Sequence, residues 1–189
     1  MLDLALRFLK NELNTYLLTQ TATDTVEVRL SKLVDETGRY AIDEETLGMT
    51  VINIEEDRTF KAHLPEYAYH NGQHLVLEPD IKLNLYILVA ANFKQYDQAL
   101  KYISLVLTFF QAHSCFDSST YADLDRRIEK LVIELQSLNY EQVNQVWAFI
   151  GGKQLPSVIY KVRLVELQDQ GQVAIQPPIT QIQTTLQTR

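Results

Sequence analysis

The feature that most restricts the fold is an apolar run at residues 80–91, followed at once by a helical pattern at 94–110. Apolar side chains occupy both alternating positions of the run: Ile81, Leu83, Leu85, Ile87 and Val89 share one face, and Tyr86, Leu88 and Ala90 share the other. A strand that is apolar on both faces is typical of the covered centre of a sheet. Because residues 94–110 carry apolar side chains at i, i+3, i+4 and i+7, they predict an amphipathic helix packed nearby.

The same two periodicities predict the remaining elements. Helices are expected at 2–19 and 139–150, and strands at 26–30, 46–56, 130–136 and 157–167. Asn139 is placed to cap the last helix in a reciprocal pair with Gln142, and Gly151-Gly152 is placed to end it. Residues 57–79 predict either a long loop or a loose hairpin that turns at Asn71-Gly72.

This order of elements predicts one α+β domain of residues 1–168, with a mixed β-sheet and helices packed mainly on one face. A glutamine- and threonine-rich tail follows at 169–189. Apolar residues recur in this tail with little to pack against. The tail is therefore expected either to stay unpaired or to add a strand to a neighbouring subunit.

Composition excludes several functional classes. The net charge of −7 and the pI near 5.1 argue against a nucleic-acid partner, which would call for a clustered basic surface. Cys115 is the only cysteine, so no intrachain disulfide forms, and we expect a cytoplasmic protein. The first residues lack the features of a secretory signal, and no apolar run reaches the ~20 residues of a membrane helix.

Candidate chemical sites are weak. His70 and His74 are four residues apart, but Asn71-Gly72 between them disfavours the helix that would align them as metal ligands. His113 and Cys115 would form a base and a nucleophile only if the fold oriented them, so a helix end with an inert thiol is the simpler interpretation.

Other motifs give structural interpretations too. The acidic groups at 44–45, 55–57 and 123–125 are typical of solvated strand ends and turns. Gly151-Gly152-Lys153 lacks both the upstream glycine and the Ser or Thr of a phosphate-binding loop. We therefore expect no catalytic residues, no metal, no cofactor and no small-molecule substrate. Lys161 and Arg163 remain as an exposed charged pair on the last predicted strand.

Long ordered segments of the chain resemble a known family. They are Leu4–Leu13, Asn53–Glu56, Leu83–Phe93 with its continuation to Gln111, Ile128–Leu135, and Gly151–Arg163 with the upstream Asn144 and Trp147. These segments are similar to the N-terminal domain of cap, or tube-terminator, proteins of contractile injection particles of the antifeeding-prophage and virulence-cassette type. The resemblance covers nearly the whole chain up to about Leu167 and brings no catalytic residue.

The resemblance implies a phage tail-terminator-like fold and a non-enzymatic structural role. The chain would form a homohexameric ring that closes the inner tube at its distal end and anchors the last sheath ring, which fixes the particle's length. Its partners would be itself and the inner-tube and sheath proteins. A closed ring uses two different faces of each subunit, and we expect Phe60, Tyr67, Tyr69, Lys161 and Arg163 to contribute such contacts.

Two other classes stay open at this point. One is a cytoplasmic binding adaptor unrelated to tails, which predicts a monomer or a dimer. The other is a small hydrolase or nuclease, which needs a converging acid–base set that these residues do not provide.

Overall fold

The computed structural model describes residues 1–22, 25–57, 66–70, 73–77, 82–165 and 174–176. In chain order its elements are α1 (Leu2–Thr21), β1 (Val28–Leu30), β2 (Thr46–Glu56), β3 (Glu66–His70), β4 (Gln73–Leu77), β5 (Leu83–Asn92), α2 (Tyr96–Ala112), β6 (Cys115–Asp117), β7 (Lys130–Gln136), α3 (Tyr140–Ile150), β8 (Ser157–Val165) and β9 (Ala174–Gln176). Each helix and strand predicted from periodicity is present. The bounds of β2 and β7 match those predicted.

The main sheet contains six strands in the order β1-β2-β5-β8-β7-β6. β1 and β2 run parallel, whereas the other neighbouring pairs run antiparallel, so the predicted mixed sheet is confirmed. β5 lies between β2 and β8, and its residues 84, 85 and 87–91 are buried. The central position of this strand explains why it is apolar on both faces.

Helices cover the sheet unequally, as the sequence predicts. α1 and α2 pack on one face, where residues such as Phe8, Leu13, Val106 and Leu131 form the larger hydrophobic core. α3 packs on the opposite face, which we call the α3 face. There Trp147 joins a smaller cluster with Leu33, Ile42, Leu88, Ala90 and Ile159.

One polar side chain attaches α1 to the edge of the sheet. The Nδ2 of Asn14 donates to the backbone oxygen of Val28 at 3.2 Å, and its Oδ1 accepts from the Val28 N–H at 2.7 Å. Val28 belongs to the edge strand β1, whose outer backbone groups would otherwise be open to another chain. Asn14 therefore positions the helix and covers this edge at Val28.

The predicted caps of α3 are confirmed. The Gln142 N–H donates to Asn139 Oδ1 at 2.9 Å, and the Asn139 N–H donates to Gln142 Oε1 at 3.0 Å. At the other end Gly151 has φ 79°, a left-handed conformation that costs glycine little, and its N–H bonds to the Trp147 carbonyl oxygen. Local sequence thus sets both ends of the helix that faces the smaller cluster.

For residues 57–79 the structure favours the hairpin over the long loop. β3 pairs antiparallel with β4, from Glu66 opposite Leu77 to His70 opposite Gln73, and positions 71–72 between them lie outside the described residues. β9, which lies in the 169–189 tail, pairs with β4 of the same chain. The tail thus contributes a third strand to a small second sheet.

β6 was not predicted. It contains Cys115, Phe116 and Asp117, and it forms the outer strand of the main sheet beside β7. Three residues are too few to show an alternating pattern, although Phe116 is fully buried.

Candidate interaction surface

The α3 face carries the charged residues that the sequence singles out. On β8, Val158, Tyr160, Val162 and Leu164 join the larger core, so the alternate positions 161 and 163 lie on the α3 face. Their cross-strand partners on β5 are Tyr86 and Asn84. Because β8 is an interior strand, Lys161 and Arg163 are partly buried by their neighbours and only partly exposed.

Arg163 is held by acidic neighbours. Its Nη2 donates to Glu134 Oε1 at 3.0 Å, and its Nε lies 3.9 Å from Asp57 Oδ2. About two fifths of each side chain of the Arg163–Glu134 pair is exposed, so the ion pair is partly shielded from solvent. Acidic neighbours thus offset the positive charge of Arg163, which makes this surface unsuited to tracking a phosphate backbone.

A second polar contact continues this surface toward α3. The Tyr86 hydroxyl donates to Glu55 Oε2 at 2.9 Å. Burial and this hydrogen bond raise the pKa of the Tyr86 phenol above its ordinary value. Tyr86 therefore stays protonated near neutral pH. We call Glu55, Tyr86, Glu134, Lys161 and Arg163 the charged strip.

Next to the charged strip lies a groove between α3 and the sheet, which we call the α3 groove. It has a volume of about 460 Å³. Ile52, Tyr86 and Ile159 line it from the sheet, and Val146 and Phe149 line it from α3. The side chain of Phe149 is 80% exposed, and Tyr140 at the other end of the same helix is 97% exposed. Large exposed aromatic side chains are enriched at protein interfaces.

The predicted aromatic contacts fall on the hairpin. Tyr67 pairs with Val76 and Tyr69 pairs with His74, so the two tyrosines occupy alternate positions of β3. Phe60 lies outside the described residues. The structure therefore brings Lys161 and Arg163 together on one face and puts Tyr67 and Tyr69 on a separate sheet.

The structure places each of the weak chemical candidates. The His113 ring stacks on Phe109 with ring centroids 4.9 Å apart, and Cys115 is an exposed free thiol on β6. His70 pairs with Gln73, whereas His74 pairs with Tyr69, so the two histidines do not face each other across the hairpin.

The predicted acidic turns are also engaged in ion pairs. Glu44 lies 2.8 Å from Lys94, and Asp125 lies 2.8 Å from Arg127. Hydrogen bonds from Arg127 lower the pKa of Asp125 below its ordinary value. Among the residues that the structure describes, no three His, Cys, Asp or Glu side chains are grouped as a metal site would require.

None of the helices in the described ranges combines the length and the apolar character that crossing a bilayer requires.

Comparison with known protein families shows to which family the chain belongs. The family described as the Pvc16 N-terminal domain matches residues 5–181. The chain belongs to the Pvc16 N-terminal domain family. The match extends beyond Leu167, where the resemblance seen in the sequence ends, and includes β9. No curated protein matches the chain by sequence.

Solved structures with a fold similar to that of this Pvc16 domain include two terminator proteins. One is the sheath/tube terminator of an extracellular contractile injection system, PVC, in the extended state, with a TM-score of 0.56 and 16% identity. Another is the tube-terminating cap of the anti-feeding prophage, with a TM-score of 0.58 and 18% identity. Each alignment covers 94% of this chain but only 63% and 60% of those proteins. This Pvc16 domain thus spans about three fifths of their length and shares the fold of tail-terminator caps.

Some surface residues of the Pvc16 domain were not found from its sequence. Glu55, Tyr86 and Glu134 join the charged strip only through strand pairing, which periodicity does not reveal. The sequence does indicate that Phe149 is exposed, because this residue lies outside the inner stripe of α3 that contains Trp147.

Proposed function

We propose that the chain is a structural cap, or tail terminator, of a contractile injection particle. It closes the distal end of the inner tube and anchors the last sheath ring there, so that the particle stops at a fixed length. The observation that carries this proposal is the family match over residues 5–181. The shared fold with the PVC terminator and the anti-feeding prophage cap supports it.

The chain works as a homohexameric ring in this proposal. A ring needs heterologous contacts, in which one face of a subunit meets a different face of the next. The chain offers two separate candidates: the charged strip with Lys161 and Arg163, and the hairpin with Tyr67 and Tyr69 together with Phe60 nearby in sequence. In this proposal both sets contribute to contacts with neighbouring subunits or with tube and sheath.

The role is non-enzymatic and needs no cofactor. Surface contacts supply the free energy of assembly, and the pairing of the Arg163 guanidinium with Glu134 and Asp57 suits a protein surface that is desolvated on binding. Assembly takes place in the cytoplasm, before the particle leaves the cell.

Particle length tests this proposal. Removing the coding sequence from the particle's gene cluster should broaden the length distribution seen by negative-stain electron microscopy, and restoring the full chain should narrow it again. Unchanged lengths in the deletion strain would contradict a terminator role.

Deletion of residues 60–74 tests, in the same assay, whether the hairpin contributes to the contacts. A complementing chain that lacks them should fail to restore uniform length, whereas Glu36→Ala, in an exposed turn of the main domain, should restore it fully. Normal capped particles formed with the deletion variant would show that the hairpin is not part of the interface.

A further inference from the structure

The outer edge of β1 is open at Leu30. The Ser31 N–H donates to the Met49 carbonyl oxygen at 3.3 Å, so the backbone groups of Ser31 face β2. Because successive strand residues direct their backbone groups to opposite sides, those of Val28 and Leu30 face away from β2. Asn14 bonds both outward groups of Val28. In the ranges that the structure describes, no hydrogen bond reaches the N–H or the carbonyl oxygen of Leu30, which is 36% exposed.

The outer edge of β7 is open at Leu135 in the same way. The Ile133 N–H donates to the Ser114 carbonyl oxygen at 2.8 Å, so Ile133 directs its backbone groups toward the β6 side. Leu135 lies two residues further along and faces the same side, but β6 begins at Cys115 and pairs with β7 only as far as Val132. No residue in the described ranges bonds the N–H or the carbonyl oxygen of Leu135, which is 53% exposed.

These two open residues lie at nearly the same height of the sheet. Leu30 pairs with Met49 on β2. The strand pairs that lead from Leu135 across β8 and β5 reach Val51 on β2. Met49 and Val51 are two residues apart, which is about 7 Å along a strand. β1 runs parallel to β2 and β7 runs antiparallel to it, so two copies placed side by side in one orientation bring β1 and β7 together as an antiparallel pair.

The side chains of the two leucines also lie on one face of the sheet. Val28, two residues before Leu30, and Ile133, two residues before Leu135, belong to the larger core under α1 and α2. Alternate side chains of a strand share a face, so both leucines lie on this one. A hollow of about 350 Å³ adjoins Leu135, and the described residues that line it, such as Leu107, carry no charge. An apolar side chain of another copy can therefore enter it without leaving a charge unpaired.

We propose that the β1 edge of one copy pairs antiparallel with the β7 edge of the next, with Leu30 opposite Leu135. The N–H and carbonyl oxygen of each leucine bond those of the other, and the Leu30 side chain enters the hollow. In this register Arg29 and Glu134 lie opposite uncharged residues, so no like charges face each other. The contact joins two different edges and is therefore heterologous. It rests on the proposed ring, for which it names a contact between subunits.

Disulfide pairing between full-length chains tests this contact. Cys115→Ser removes the native thiol, and Leu30→Cys or Leu135→Cys then gives two single-cysteine chains, one of which carries a size tag. Each chain alone and the mixture are oxidised mildly, both in solution and in particles purified from the deletion strain that expresses them, and dimers are separated on non-reducing gels. Residues opposite each other on paired strands lie within reach of a disulfide. We expect a mixed dimer and a loss of that dimer when either chain is oxidised alone.

A cysteine on α2 is the control. Tyr96 is 67% exposed, and Tyr96→Cys mixed with Leu135→Cys should give only the small yield of random collisions. The contact is overturned if Leu30→Cys and Leu135→Cys give no more mixed dimer than this control, in solution and in particles alike. It is also overturned if each chain alone dimerises as readily as the mixture, because two copies would then meet through the same edge.

Particle length separates the failure of this contact from the failure of the proposed function. A mixed dimer formed by a chain whose removal leaves particle length unchanged would support the contact and contradict the terminator role. Broadened lengths after removal of the chain, together with no mixed dimer, would support the terminator role and overturn the contact.

Discussion

Replacing Trp147 with alanine should detach α3 from the sheet at a large cost in stability. Trp147 is 5% exposed and packs with Leu88, Ala90 and Ile159 under the helix. Burying about 200 Å² of aromatic surface at about 25 cal/mol per Å² gives an upper value near 5 kcal/mol. Measured Trp→Ala changes in cores cost about 3–5 kcal/mol, which is about a fifth or more of the ~5–15 kcal/mol that stabilises a typical domain.

Urea unfolding followed by far-ultraviolet circular dichroism measures this cost, since the chain's single tryptophan is lost in the variant. With a slope of about 2 kcal/mol per M, the midpoint should fall by about 1.5–2.5 M. Phe149→Ala is the matched control on the same helix. Because Phe149 is 80% exposed, its loss should change stability by less than about 0.5 kcal/mol. Similar costs for both variants would refute the assignment of α3's buried side.

Three further predictions concern local structure. Asn139→Ala removes the cap of α3 and should cost about 1 kcal/mol in urea unfolding, whereas Asn144→Ala, exposed in the same helix, should cost little; equal effects would contradict the cap. Asn14→Ala leaves the N–H and carbonyl oxygen of Val28 without their side-chain partner and should lower the free energy of unfolding by about 1–3 kcal/mol. Asn11→Ala, at an exposed position of the same helix, should change it little. Hydrogen bonds from Thr37 and Arg39 in its own turn hold the pKa of Asp35 below its ordinary 3.8. The stability that the ionised carboxylate adds to the fold is therefore present above pH 3.8 and is lost as the pH falls through the lower pKa of the folded state. Asp35→Asn should therefore flatten the decline in thermal stability as the pH falls below about 4, and an unchanged decline would argue against the turn.

Local patterns in the sequence were enough to predict the helices and most strands. The spacing of Leu2, Leu6, Leu9 and Leu13 already specifies a one-sided helix, and α1 spans Leu2–Thr21. The capping box of α3 needs only residues three apart, so it too is visible without tertiary information. Such features depend on neighbours within about one helical turn.

What could not be predicted depends on contacts far apart in the chain. Parallel pairing of β1 with β2 and the place of β8 between β5 and β7 follow from how the strands assemble. The alternation in β8 put Lys161 and Arg163 on the right face, but it carried no information about the partners that partly bury them. Glu134 comes from β7, and its bond to Arg163 exists only once the two strands pair.

The position of the chain on an assembled particle tests the central claim most directly. Gold-labelled antibodies against this chain, applied to purified particles and imaged by electron microscopy, locate it without altering its surfaces. The tail-terminator account predicts label at one end of each particle and none along the shaft. Label spread along the sheath, or particles of normal length with no label at either end, would contradict it.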